Sequence, residues 1–456
     1  MRRVVIMGAG GRDFHDFNTV FREDPSVSVV AFTAGQIPGI AGRVYPASLA
    51  GPLYPEGIPI RPEEELAEIV RGEGIDTVVL SYSDLSHEDV MHKASLVLST
   101  GADFSLLGPR ATMLEASRPV VAVTAVRTGS GKSPTSRRIG SLLLGAGLRV
   151  GLVRHPMSYR DDLSAMRVQR FATLEDIDAA HPTLEEREEY EESVRLGMTV
   201  YAGVDYAAVL ELAQAECDVL VWDGGNNDLP FFRPDVHVVV VDPLRAGDEL
   251  AYHPGEANLR LADVVVVNKV DSAERDAVAR VLANVESVNP SATVVMARSP
   301  VTLEPGPPLR GKRVLVVEDG PTLTHGGMAF GAGTVAALRE GAGELVDPRP
   351  SARGAIADVF AAYPHLGRVL PAVGYSDEML HDLEATIDAT DADVVVTGTP
   401  IDLGRLIATR HPIRHARYAL HEVGRPTLTD ALSPLLRLLR VSTNASAASG
   451  VATPAA

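Results

Sequence analysis

The sequence predicts an α/β protein of three units, and two features of its 456 residues lead there. Short β-branched apolar runs alternate with helical stretches almost from end to end, the pattern of parallel sheets with crossover helices. One of those runs breaks into a glycine loop, Val120-Val-Ala-Val-Thr-Ala-Val-Arg-Thr-Gly-Ser-Gly-Lys-Ser133, and a later one ends in Asn268-Lys269-Val270-Asp271. In open α/β sheets such strand-end loops are where ligands collect.

Residues 1–117 read as a Rossmann-like N-terminal domain with strands near 3–8, 27–32, 76–81 and 103–107. Six prolines between 33 and 62 (Pro38, Pro46, Pro52, Pro55, Pro59, Pro62) interrupt it with a long loop, either functional or a cover over a neighbour. Residues 118–310 repeat the alternation, with strands near 119–125, 149–154, 218–223, 236–242, 263–268 and 293–297. A charged insertion at 155–200 contains Thr183-Leu-Glu-Glu-Arg-Glu-Glu-Tyr-Glu-Glu192, which reads as a solvated helix face. Residues 311–440 form a smaller C-terminal α/β domain, opened by Arg313-Val-Leu-Val-Val317 and with a second strand at 392–396. The small polar tail 441–456 is expected to be disordered.

A net charge of −18 excludes a nucleic-acid surface or a polybasic membrane anchor, both of which need clustered positive charge. It also requires that an anionic substrate be met by a local arginine cluster. The single cysteine, Cys217, excludes a disulfide framework or thiolate metal site and reads as buried filler. No apolar run approaches the roughly 18 residues needed to span a bilayer, so a cytoplasmic location is expected.

The loop Thr128-Gly129-Ser130-Gly131-Lys132-Ser133 has the composition of a phosphate cradle, a P-loop. Backbone N–H groups and the following helix N-terminus hold phosphates, Lys132 reaches the β/γ-phosphates, and the Ser133 hydroxyl helps hold magnesium. The first glycine of the full motif is replaced by Val126. The chain has only four lysines, and Lys132 and Lys269 fall in these two motifs, where arginine is no substitute. Asp223, closing the run Val219-Leu-Val-Trp222, is the candidate magnesium-orienting carboxylate, with Asn226, Asn227 and Asp228 beside it. An ionised Asp271 only accepts hydrogen bonds, so Asn268, Lys269 and Asp271 point to base recognition, favouring guanine's two donors.

Other stretches admit two readings. Met7-Gly-Ala-Gly-Gly-Arg-Asp13 fails as a dinucleotide fingerprint at its third glycine, leaving an anion site with Arg12 and His15 or a plain turn. His87-Glu-Asp-Val-Met-His92 misses zinc-protease spacing by one residue and reads as a helix start capped by Ser86. Glu318-Asp-Gly-Pro-Thr-Leu-Thr-His325 is a further strand-end loop, and Arg154-His155 closes the strand beside the P-loop.

These motifs, with Gly11-Arg-Asp-Phe-His-Asp-Phe17, Gln36-Ile-Pro-Gly-Ile40, Gly51-Pro-Leu-Tyr-Pro55 and Trp222-Asp-Gly-Gly-Asn-Asn-Asp228, resemble the cyclic 2,3-diphosphoglycerate synthetase family over nearly the whole chain, to about residue 435. The resemblance implies ATP-driven closure of an intramolecular pyrophosphate in 2,3-diphosphoglycerate, with magnesium and potassium as supporting ions; the aspartate motif keeps GTP open as co-substrate. Lys132, Asp223, Arg127 and Arg154 are the expected catalytic residues, with Ser133 and Asp223 on the metal. Arg12, His15, Arg43, His155, Arg170, Asn226, Asn227 and His325 are candidates for the anionic substrate. A homodimer is an admissible assembly. The competing expectation is a GTPase-type switch or metallochaperone acting on a macromolecular partner, which needs no small-anion pocket.

Overall fold

The computed structural model describes residues 1–35, 40–155, 163–182, 184–225, 228–324, 326–373, 377–400 and 403–449. Its first sheet has the spatial order Val44–Tyr45, Ile58–Pro62, Val27–Ala34, Arg2–Met7, Thr77–Leu80, Asp103–Leu106, parallel except at the Val44–Tyr45 edge. The consecutive buried residues Val4, Val5, Ile6 and Met7 reflect a strand covered on both faces. The proline-rich segment, expected to be a loop, supplies the last two strands at one margin of the sheet. Proline lacks an N–H, and the sheet margin is where a strand tolerates that loss.

The central sheet runs Gln169–Phe171, Thr199–Ala202, Val150–Arg154, Val219–Trp222, Val120–Ala125, Val236–Val241, Val264–Val267, Thr293–Arg298, His421–Val423. Its interior strands are parallel and its two edge strands antiparallel. The insertion thus contributes two strands of its own. Its acidic run forms the helix Leu184–Arg195, and the expected solvated face is only half the story: Tyr190 is buried and stacks on Phe171 at 5.0 Å.

The third sheet joins Val301–Leu303, Ile413–Tyr418, Val394–Gly398, Arg313–Asp319 and Glu344–Leu345, with Leu370–Ala372 also pairing to Arg313–Asp319. The expected boundaries need correction at both ends. Val301–Leu303 already belongs to the third sheet, whereas His421–Val423 and the helix Leu428–Ser449 return to the central unit. Leu428, Leu432, Leu435 and Leu439, spaced by four, three and four residues, pack into the same core as Ile139 and Leu143. That helix continues to Ser449, through part of the tail expected to be disordered. Residues 450–456 lie outside the described residues.

Candidate active site

The strand Val120–Ala125 is wholly buried and emerges as the glycine loop, which feeds the helix Lys132–Gly145. Gly129 and Gly131 take φ values of +80° and +108°, where a side chain is strained. A Cβ on Gly131 would lie 2.2 Å from Asn268 Nδ2, so glycine is also required sterically. Asn268 Nδ2 donates to the Ser130 carbonyl at 2.9 Å, and Lys269 Nζ donates to the Gly129 carbonyl and to Asp242, each at 2.7 Å. The first two residues of the Asn-Lys-Val-Asp motif thus brace the loop. Asp271 accepts from the Ser299 amide at 3.1 Å and lines the cavity described below. At Val126 the expected glycine is unnecessary, because the residue stays in strand register, donating to the Val240 carbonyl.

Lys132 Nζ donates to Asp223 at 2.6 Å and to the Gly224 carbonyl, and Arg154 pairs with both Asp223 and Glu189. Burial alone would lift the Asp223 carboxyl, but Arg154 and Lys132 outweigh it and hold it below the ordinary carboxylate value. For Lys132 the balance reverses: burial, aided by Arg154, pulls its ammonium down despite Asp223. Lys132 and Arg154 thus converge on one carboxylate at the loop. Ser133 lines the same cavity.

Arg127 joins all three units. Its guanidinium donates to Asp84 of the N-terminal unit at 2.7 Å, to Asp248 at 2.5 Å and to the Gly326 carbonyl of the C-terminal unit at 3.4 Å, and lies 3.6 Å over the Tyr252 ring. Burial opposes its charge, yet the carboxylates and Tyr252 raise its pKa above the ordinary value. Asp84, in the left-handed region at φ +63°, also accepts from the Thr128 amide at 3.2 Å. Arg245 adds a second tie to Gly326, at 2.7 Å, and reaches Ser130 Oγ at 3.2 Å. Sequence reasoning passed over Asp84, Glu189, Arg245 and Asp248. The available signal was Asp84's place just beyond the strand Thr77–Leu80, at its ligand-side end.

His155 Nδ1 and the Tyr206 hydroxyl share a hydrogen bond of 2.5 Å, and its Nε2 lies 3.1 Å from Asp228. Burial holds the Tyr206 phenol well above its ordinary value, so it stays protonated. His155 lines the cavity beside Lys132 and Arg154.

Several expected substrate residues are elsewhere. The glycine loop at residues 8–11 is not an open anion cradle, because the Asp13 carboxylate accepts the N–H groups of Gly10, Gly11 and Phe14. Arg12 pairs with Asp16 at 3.5 Å and donates to the Leu229 carbonyl. His15 stacks on Phe231 at 4.0 Å and bonds the Thr112 carbonyl at 2.6 Å; burial drops its pKa to about 3, so it is neutral packing between two units. Arg170 pairs with Glu216 at the sheet edge, at 2.6 Å. Arg43 heads the edge strand Val44–Tyr45 and does not line the cavity. Asn226, Asn227 and His325 lie outside the described residues.

One cavity of about 590 Å³ connects the P-loop, Arg154 and His155 with Asp271, Ser299 and the C-terminal residues Glu318, Leu338 and Tyr418. Among the described residues no group of three or more His, Cys, Asp or Glu could hold a metal ion, and no helix is long and apolar enough to cross a membrane.

Residues 214–296 match the family model of the CobW/HypB/UreG nucleotide-binding domain. Over 431 residues the chain is 56% identical to the arginine synthetase ArcE of Thermococcus kodakarensis, covering 94% of this chain and 96% of that protein. Among solved structures, LpxK of Aquifex aeolicus in complex with ATP aligns at 14% identity, covering 76% of this chain and 96% of that one, with a TM-score of 0.42. The hydrogenase maturation factor HypB of Archaeoglobus fulgidus aligns at 17% identity over 40% of this chain and 81% of its own, with a TM-score of 0.27. Structural likenesses of that size carry no functional inference. The chain belongs to the family of the Thermococcus arginine synthetase, a family of P-loop nucleotide-binding, synthetase-type enzymes.

Proposed function

We propose that this protein is an ATP-dependent synthetase whose product is arginine. The name of its 56% identical relative suggests the product, and the charge balance of the site is the observation that carries the choice between acceptors. A polyanion such as 2,3-diphosphoglycerate needs free guanidinium groups. The two nominated arginines that line the cavity are instead matched by carboxylates, Arg127 by Asp84 and Asp248 and Arg154 by Asp223 and Glu189. With the chain at −18 overall, such a ligand is also repelled at long range. A neutral or cationic acceptor suits this environment.

The chemistry follows from making a guanidinium. A ureido oxygen, as in citrulline, takes the γ-phosphoryl group of ATP, releasing ADP; an amine then adds at that carbon, loses a proton, and phosphate leaves with the former ureido oxygen. Lys132 would neutralise the transferring phosphoryl group, and the loop amides would hold the phosphates. Magnesium entering with the nucleotide would be held by Ser133, with Asp223 orienting it, and would supply charge neutralisation. Asp223 has to loosen its grip on Lys132 and Arg154 for this, and the phosphates supply the replacement charge. His155, which lines the cavity with Asp228 3.1 Å from its Nε2, is the group nominated to take the amine's proton.

Phosphorus NMR on ATP turnover tests the proposal. ADP and phosphate should form only when citrulline and ammonium are both present, with arginine appearing in equal amount. Turnover dependent on 2,3-diphosphoglycerate would instead establish the cyclic pyrophosphate reaction.

A further inference from the structure

We infer that the C-terminal unit is part of the nucleotide site, its helix Ala332–Arg339 and the strands Val301–Leu303 and Ile413–Tyr418 closing an apolar slot over the nucleobase. This rests on the cavity being the nucleotide site, but not on what the acceptor is. The cavity continues from Gly131 and Lys132 past Asn268 and Asp271 to Ser299, Val301, Leu338 and Tyr418. The first five belong to the central unit, the last three to the C-terminal sheet and its helix.

That helix has two faces. Gly333, Thr334, Ala336 and Ala337 are buried. Ala332, Val335 and Leu338, three residues apart and therefore on one stripe, line the cavity. Leu338 is 59% exposed there and Phe330, also in the lining, 40%. Large apolar side chains facing a shared cavity mark a surface that a ligand covers.

This lining suits an occupant apolar on its faces, polar at its edge, and covalently continuous with phosphates at Lys132. A nucleobase meets all three requirements. Asp271, with one carboxylate oxygen held by the Ser299 amide, stands in the same lining to meet a donor on the base edge. The paired donation of Arg127 and Arg245 to the Gly326 carbonyl fastens the C-terminal unit to the P-loop, so base and phosphates would be gripped by one assembly.

The test is calorimetric titration of the full chain with ATP and, separately, with inorganic tripolyphosphate, which has no base. Leu338→Asp places a charge in the slot at an exposed position. It should raise the Kd for ATP about tenfold or more, a loss of about 1.4 kcal/mol, and leave the tripolyphosphate Kd within about twofold. Leu338→Met, which conserves volume, should keep both near wild type. An unchanged ATP affinity in Leu338→Asp would overturn the slot, as would parallel losses for both ligands, which would mean a disturbed P-loop. Failure of the wild type to bind either ligand would remove the nucleotide cavity itself, a different failure from that of the arginine proposal.

Discussion

Replacing Asp223 by Asn removes the one carboxylate that Lys132 and Arg154 share. Asp223 is 1% exposed and its partners' side chains are 14% and 5% exposed, so Lys132 would lose its carboxylate in a nearly dry site while Arg154 kept only Glu189. Breaking a buried pair by deleting one partner costs about 3–5 kcal/mol. For a unit of this size that corresponds to roughly 6–20 °C in Tm. The loss should be conditional on the empty site, because phosphate oxygens bring the missing negative charge. Differential scanning calorimetry with and without magnesium-free ADP separates the cases. In the wild type, ADP at 100 times its Kd should add about 2.7 kcal/mol. In Asp223→Asn it should add more at the same concentration, since the cations no longer have to be drawn from a carboxylate. Because Asp223 is held below its ordinary pKa, its stabilisation is complete above about pH 4 and disappears only below. An unchanged Tm, or equal ADP gains in the two proteins, would refute the shared role of Asp223.

Three further outcomes follow from the same geometry. Gly131→Ala forces a strained φ and displaces Asn268 from Ser130, so it should weaken ATP binding by an order of magnitude or more, equivalent to about 1–3 kcal/mol of strain; titration showing wild-type affinity would mean the loop does not hold phosphate. Asp271→Asn should weaken the nucleotide whose base offers donors to the carboxylate, with GTP losing more than ATP; ATP binding indifferent to the change would make Asp271 only a brace for Ser299. His15, lowered to about 3 by burial, contributes stability that is complete above about pH 6.5 and is lost as pH falls from there toward 3. His15→Gln should therefore lose less Tm than wild type between pH 7.5 and 5. Asp13, raised to about 7, has the opposite sign but is common to both proteins, so equal losses would show that His15 does not pack neutral.

Much of the fold was legible because parallel strands buried on both faces are written as unbroken runs such as Val264–Val267 and Val394–Val396. The edge strands were not: Gln169–Phe171 and Val44–Tyr45 are short, half exposed and carry no periodicity. The return of the last helix to the central core was invisible, since a leucine stripe says that a face is buried but not against what. At the site, the meeting of Lys132 and Asp223 was legible because both follow the ends of neighbouring buried strands. What the sequence concealed was neutralisation. Arg127 and Arg154 look like anion receptors until Asp84, 43 residues away, and Glu189, on an inserted helix, are seen against them. Likewise Asp13 fills the N–H groups that made the first glycine loop resemble a cradle.

The central claim is that the γ-phosphoryl group of ATP is transferred to a ureido oxygen in making arginine. Citrulline carrying 18O in its ureido group, incubated with the protein, ATP, magnesium and ammonium, tests it by phosphorus NMR, where each 18O shifts a phosphate resonance upfield. The account predicts one 18O in inorganic phosphate for every arginine formed, alongside ADP. Unlabelled phosphate, or label in AMP with release of pyrophosphate, would contradict it.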